Sequence, residues 1–181
     1  MIIMKTETHD FFNIGVLTLL GTFFATPFYS FISAILITSP ANRIIDTYGH
    51  ERNAFGMPVR TYRTHSPLRA LFWGFLPAFV IFTVVYYLKN FYSFIPEPYF
   101  ILAQGLLSGE LHLLLDLPTE GGIFLNKKRV AFGHFAYNNP LINFAGILAG
   151  LFLIYISFMG GSYAQNYYNL KHIIFGFRRF V

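Results

Sequence analysis

The chain has 181 residues, 55% of them hydrophobic, 20% aromatic and only 12% charged, about half the charged fraction of a soluble domain. Its net charge of +5 sits in short basic segments beside long uncharged runs, the distribution of a membrane protein rather than of a nucleic-acid binder. With no cysteine, disulfides and thiolate ligands are excluded, and any metal site must be built from His, Asp and Glu, donors that suit zinc, manganese or iron.

No charge occurs in 11–42, 70–88 or 135–170, and each run meets the roughly 18 apolar residues that a membrane-spanning helix needs. The expected fold is all-α: one multi-span helical membrane domain over 1–181. The N-terminal run is too long for a signal peptide and has no small-residue cleavage pattern.

The first apolar element covers about 10–40. As one helix it would extend roughly 45 Å against a hydrocarbon core of about 30 Å. Thr26-Pro27 interrupts it midway, and two arms meeting at Pro27 would each cover only about 21 Å. A polar loop, NRIIDTYGHERNAFGMPVRTYRTHSP, follows. Ser66 as N-cap and Pro67 at the first helical position then start a span over 67–88. The segment KNFYSFIPEP turns the chain around into a third element, 99–117, which Pro118 and Gly121-Gly122 end. A second polar loop carries NKKR and His134, and the last span is 141–159, where Gly146, Gly150 and Gly160-Gly161 favour close packing. The aromatic and basic tail, 161–181, is expected to lie in the interface. The positive-inside rule puts both basic loops on the cytoplasmic side of the plasma membrane.

Within the third element, GELHLLLD sets ionisable groups in hydrocarbon, where function is the default reading. His112 and Asp116 are four apart and share a helix face, the spacing of two ligands to one metal ion, with Ser108 a turn earlier. Asp46, His50 and His65 reach the same membrane face. His65 stands just ahead of a helix N-terminus, where free N–H groups favour a phosphate oxygen, and Arg60, Arg63 and Arg69 surround it with guanidinium donors. A divalent metal there would activate water and polarise a phosphoryl oxygen, so hydrolysis of a lipid or other phosphoester is the expected chemistry. Ser66 and Glu110 are the catalytic candidates.

Each sharp reading has a plain counterpart. His112 and Asp116 could be a polar pair stapling the bundle, and His65, Asp46 and His50 ordinary loop groups. Glu110 lies on another helix face from His112 and could pair with an arginine or Lys127. The arginines could serve topology alone, and His134 and His172 could be interfacial.

The segments RTYRTHSPLRALFWGF, SGELHLLLDLPTEGG and NRIIDTYGHE resemble the motifs of the LexA-regulated, membrane-bound metal-dependent hydrolase family, and more closely its archaeal membrane relatives of unknown function. The matching positions are His9, Asp46, His65 with Ser66, His112, Asp116, Thr119 and Gly122, from His9 to about Asn143. The family is grouped with zinc-dependent phospholipase C-like proteins, whose metals are held by His and Asp from several helices. The resemblance implies a metal-dependent, phosphoester-directed membrane hydrolase with zinc, or else manganese, as cofactor and membrane lipids as partners. His9, Asp46, His50, His65, His112 and Asp116 are then the metal-ligand candidates. The chain departs from the bacterial branch between Asp46 and His65, where His50 matches either of two histidines. For His9 to join the others, the first apolar run must be a hairpin bent at Pro27, the arrangement the resemblance favours. Six ligands would allow two metals. Two other readings are a non-enzymatic structural or membrane-remodelling protein, and a proton or ion pathway built on the carboxylate–histidine chain.

Overall fold

The structure, a computed structural model, describes residues 6–52, 54–56, 58–91, 98–133, 135–136 and 138–176, with the backbone only of 58 and 161–176. Thr26-Pro27 shapes the N-terminal half. Helix α1 (Thr6–Gly21) ends before it, and α2 (Pro27–Gly49) begins on it, with the Thr26 hydroxyl accepting from the Tyr29 N–H at 3.3 Å. The two fold back on one another. The space beside Gly21 is filled by Ser30, the Asn13 side chain reaches Asn42 at 3.4 Å, and Thr6 reaches Asp46 at 3.3 Å. The first apolar run is therefore a hairpin, broken over 22–26.

α2 does not stop near Pro40. It carries that proline inside and continues to Gly49, so Asp46, expected in a loop, stands on a helix. His50 then opens a short antiparallel hairpin, β1 (His50–Arg52) and β2 (Pro58–Arg60), with His50 opposite Arg60. After α3 (Pro67–Lys89) and α4 (Tyr99–Asp116) comes a second hairpin, β3 (Ile123–Leu125) and β4 (Lys128–Val130). Its two-residue turn sets Asn126 and Lys127 at φ 49° and 65°, the positive-φ turn that matches strand twist. The all-α expectation is thus corrected at both polar loops. The last helix, α5 (Pro140–Gly176), runs through Gly160-Gly161 instead of ending there. The interfacial role expected of 161–181 concerns side chains outside the described residues, as do those of His134 and His172.

Small residues bring the helices together. Ala70, Gly74 and Ala78 of α3 face Gly105 and Gly109 of α4, and a Cβ on Gly74 or Gly109 would collide with the opposite backbone. Gly15 of α1 meets Gly150 of α5 in the same way, and Gly146 abuts Thr8. α3 and residues 140–160 of α5 are long and apolar enough to cross a membrane, yet only 11% and 22% of their apolar windows are buried. The two outer helices show their apolar side chains outward, through Phe72, Val80 and Val84 on α3 and Leu141, Phe144 and Phe152 on α5. The interior they flank, between α1, α2 and α4, is polar for much of its length.

Candidate functional site

Five side chains converge where α1 begins and α2 and α4 end: His9 of α1, Asp46 of α2, His65 of the segment before α3, and His112 and Asp116 of α4. The four other than Asp46 are fully buried, and Asp46 is 11% exposed. Asp116 is the hub. Its Oδ1 lies 3.3 Å from His9 Nε2, and its Oδ2 lies 3.4 Å from His112 Nε2 and 3.5 Å from His65 Nε2. Asp46 Oδ1 is 3.5 Å from His112 Nε2. The His9 and His112 rings stack at 4.0 Å, and His65 stands edge-on to His112 at 5.6 Å.

Two rings are turned by the groups behind them. Thr64 donates its hydroxyl proton to the Ile45 carbonyl at 2.9 Å, so at its 2.9 Å contact with His65 Nδ1 the imidazole N–H is the donor. Gly49, closing α2, makes room for this pair, since a Cβ there would overlap the Thr64 hydroxyl and come within 2.6 Å of the His65 ring. His112 Nδ1 is 3.0 Å from the Asn42 carbonyl oxygen, an acceptor only, while the Asn42 amide donates to Asp10 at 2.7 Å. Both histidines therefore carry a proton on Nδ1, and as neutral rings they turn a bare Nε2 inward.

Acceptors thus face acceptors. Among the described residues His65 Nε2, His112 Nε2, His9 Nε2, Asp46 Oδ1 and Asp116 Oδ2 are buried with no hydrogen-bond partner. With His65 and His112 neutral, lone pairs held 3.4–3.5 Å apart repel unless a cation lies between them, and buried polar atoms are otherwise nearly always paired. Three imidazoles and two carboxylates make a His/Asp group that could hold a metal ion. The ligand atoms form two overlapping groups, His9–His112–Asp116 and Asp46–His65–His112, each within 4.8 Å. His112 belongs to both, and its Nδ1 is committed to Asn42, so it has one nitrogen to offer the two groups. Burial holds His65 well below the ordinary histidine value, against the opposing pull of the Asp116 carboxylate, and a neutral ring is the form that binds metal.

Arg60 closes the cluster from β2. It is 8% exposed, donates to Asp116 Oδ1 at 2.5 Å and to the Thr119 hydroxyl at 3.0 Å, and lies 3.5 Å from the Gly122 carbonyl. A Cβ on Gly121 would press on its guanidinium, and Gly122 turns at φ 55°, where glycine is favoured. The segment TEGG is the seat of Arg60, and Arg60 leaves Asp116 Oδ2 as the free oxygen.

Residues 4–115 match the model of a family described as a protein of unknown function, DUF1286. The chain belongs to that family. The match takes in every candidate ligand but Asp116, which follows it directly. No curated protein and no solved structure matches the chain.

Of the residues singled out in this DUF1286 chain, His9, Asp46, His65, His112, Asp116 and Arg60 come together. His50 flanks them, its Nδ1 on the Asp46 carbonyl and its ring 5.1 Å from that of His65. The others stand apart. Ser66 donates to the Tyr62 carbonyl at 3.1 Å, Arg63 pairs with Glu51 at 3.1 Å, and Arg69 lies 4.4 Å over the Tyr62 ring. Glu110 is on another face of α4 from His112. Asn42, Asp10 and Thr64 are the orienting residues that motif reading missed. Asn42 lies one helical turn before Asp46, a signal that appears only once that stretch is read as helix.

Proposed function

We propose that this DUF1286 protein is a multi-span membrane hydrolase that uses one divalent metal, zinc or else manganese, to cleave a phosphoester of a lipid or another polar-headed molecule at the cytoplasmic membrane surface. One observation carries the reading: five buried acceptor atoms from three helices and a loop converge unpaired, with His65 and His112 turned inward by Thr64 and Asn42. The resemblance to the membrane-bound metal-dependent hydrolases supports the reaction class.

His65 Nε2, His112 Nε2 and Asp116 Oδ2 would hold the ion, with Asp46 and His9 completing the set. Bound there, the metal supplies Lewis-acid polarisation and activation of water. The remaining chemistry belongs to the chain. Asp46 and Arg60 are the groups of the cluster with some exposure, so they mark the side from which a substrate arrives. Two carboxylates against one guanidinium leave the cluster one net negative charge. A divalent ion makes it positive, which suits an anionic ester. Arg60 keeps Asp116 ionised and fixed through Oδ1.

The membrane setting is supported by the bare apolar faces of α3 and α5, since the core helices of a soluble protein would be covered. The basic segments support the sidedness. Lys127, Lys128 and Arg129 sit on the β3–β4 hairpin, which docks beside the cluster where the Phe124 N–H donates to the His65 carbonyl at 2.7 Å.

Elemental analysis of the detergent-purified protein tests the proposal. Stoichiometric zinc or manganese in the wild type, lost in His65→Ala and in His112→Ala, with release of phosphorylated headgroup from lipid vesicles only by the metal-loaded wild type, is the expected result. No bound metal after zinc and manganese have both been offered would overturn it.

A further inference from the structure

Below the cluster, toward the start of α4, the interior stays polar. α4 carries Gln104, Ser108, His112 and Asp116 at four-residue steps, and α2 carries Ser30, Thr38, Asn42 and Asp46 on the same phase, with Ala34 at the one skipped step. α1 adds His9 and Asn13. A four-residue step keeps side chains on one face, and every one of these residues except Asp46 is at most 3% exposed. The stripes face one another. The Asn13 amide donates to the Ser108 carbonyl at 3.0 Å and lies 3.4 Å from Asn42 Oδ1. One level further down, Gln104 donates to the Leu17 carbonyl at 3.1 Å and accepts from Ser33 at 2.8 Å. The seam runs from Asp116 to Gln104, about 18 Å at 1.5 Å per residue.

Its two ends differ. Gln104 has both functions of its amide satisfied, and beyond it lies an apolar cluster of Ile37, Ala78, Phe100 and Ile101, backed by Tyr29 and Phe82. That end is walled by apolar side chains, and the unpaired oxygens there, Ser30 Oγ and Tyr29 Oη, lie beside Gln104 and the apolar cluster. Between Gln104 and the cluster, Asn13 Oδ1, Ser108 Oγ and Thr38 Oγ1 are buried without a hydrogen-bond partner. Asn42 touches His112 at 3.0 Å, and Thr38 and Ser108 each lie one turn below those two, so the three unpaired atoms occupy one level of the seam. Left bare they would each cost what an unsatisfied buried polar group costs. Water, with its two to four hydrogen bonds, is the ligand that fits a buried level lined by hydroxyl and amide oxygens.

We propose that the seam between α1, α2 and α4 is a blind, hydrated inlet. Ordered waters bound to Asn13, Thr38 and Ser108 adjoin the His112–Asp116 cluster, and Gln104 with the apolar cluster beneath it stops them from crossing the bundle. The hydration stands on the seam alone; its use as a water supply for the fully buried His65, His112 and Asp116 rests on the hydrolase reading.

X-ray radiolysis of the full-length protein in detergent, which makes hydroxyl radicals where water resides, followed by mass spectrometry, tests this. Leu17 stands on α1 one turn after Asn13, with its carbonyl accepting from Gln104, and Ile101 belongs to the apolar cluster; both are fully buried. Leu17 is expected to oxidise several-fold faster than Ile101, with or without chelator, and Ser108→Val to bring Leu17 down to the Ile101 rate. Equal, negligible oxidation of the two in the wild type, while exposed Phe55 and Tyr48 are labelled, would overturn the inlet. So would a Ser108→Val protein that keeps the wild-type Leu17 rate. The wild-type contrast stands even if the variant does not fold, and the chelator arm separates this result from any failure of metal binding.

Discussion

The outer helices and the inner three are held by opposite chemistry. α3 and α5 present apolar side chains outward and meet their neighbours through glycine and alanine, backbone against backbone. α1, α2 and α4 turn Asn, Ser, Gln, His and Asp inward at steps of one turn. Among the described residues no candidate ligand comes from α3 or α5. The helices that look most like membrane spans carry the fold, whereas those with a compromised apolar pattern carry the site. Buried polar side chains need partners, and here many find them on neighbouring helices, so the same residues that define the site also register the bundle.

The sharpest way to break that contrast is to remove its hub. Asp116→Ala leaves Arg60, 8% exposed, as an unpaired buried cation. Truncating one partner of a buried ion pair costs about 3–5 kcal/mol, or a fall in Tm of about 6 °C or more for a chain of this size. Val84→Ala, on the outward face of α3 where Val84 is 52% exposed, should move Tm by about 1 °C or less. Thermal unfolding of the two variants side by side is the measurement. Equal shifts would mean that Asp116 is not the hub.

Much of this division was legible in the residues, for identifiable reasons. Thr26-Pro27 and Ser66-Pro67 act through local chemistry, a preset proline φ at both and a capping hydroxyl at Thr26, and the helices begin there; the Ser66 hydroxyl turns back to Tyr62 instead. The spacing of His112 and Asp116 is a property of one helix. Arg60 is different: its partner Asp116 lies 56 residues away, so the reading of Arg60 as a phosphate ligand rested on its neighbours in sequence, Arg63 and Arg69, which turn to Glu51 and Tyr62 instead. Pro40 and the polar residues after it signal a helix end, yet α2 continues to Gly49. Ile45 and Thr64 hold that stretch to the bundle, a tertiary effect that a single-sequence pattern does not carry. The three-residue strands are too short for periodicity to reveal.

Orientation, as opposed to ligation, is tested at Asn42. Asn42→Leu keeps every ligand but removes the acceptor that fixes the His112 tautomer, and should weaken zinc affinity about 10–100-fold, the usual effect of an outer-shell change. Competition with a chromophoric chelator measures it. Asn42→Asp keeps an acceptor toward Nδ1 but sets a second carboxylate against Asp10, so it should recover only part of the loss. An Asn42→Leu protein of wild-type affinity would show that His112 does not need its backing.

A smaller effect separates the inner region by pH. His65 is neutral in the fold because burial lowers its pKa, while in the unfolded chain it takes up a proton near pH 6.5. Above that value it adds no pH dependence. Below it the unfolded state binds the extra proton, and stability falls by up to about 1.4 kcal/mol per pH unit until the folded-state pKa is reached. In metal-free protein, the Tm loss between pH 7 and pH 5.5 should be smaller in His65→Gln than in the wild type. Parallel curves would place a proton on His65 in the fold.

The faintest signal comes from the arginines that stand apart. Arg63 is exposed and paired with an exposed Glu51, and Arg69 rests on Tyr62 at the surface. Pairs of this kind contribute about 0–1 kcal/mol, so Arg63→Ala and Arg69→Ala should leave Tm and metal content near wild type. Their use, if any, is toward the membrane or an anionic headgroup, where a cation acts through a field that salt screens within about 10 Å. The discriminating readout is binding of the metal-loaded variants to vesicles with and without anionic lipid. Loss confined to anionic vesicles at low salt would assign them to docking. Loss of metal would instead join them to the centre from which Glu51 and Tyr62 hold them away.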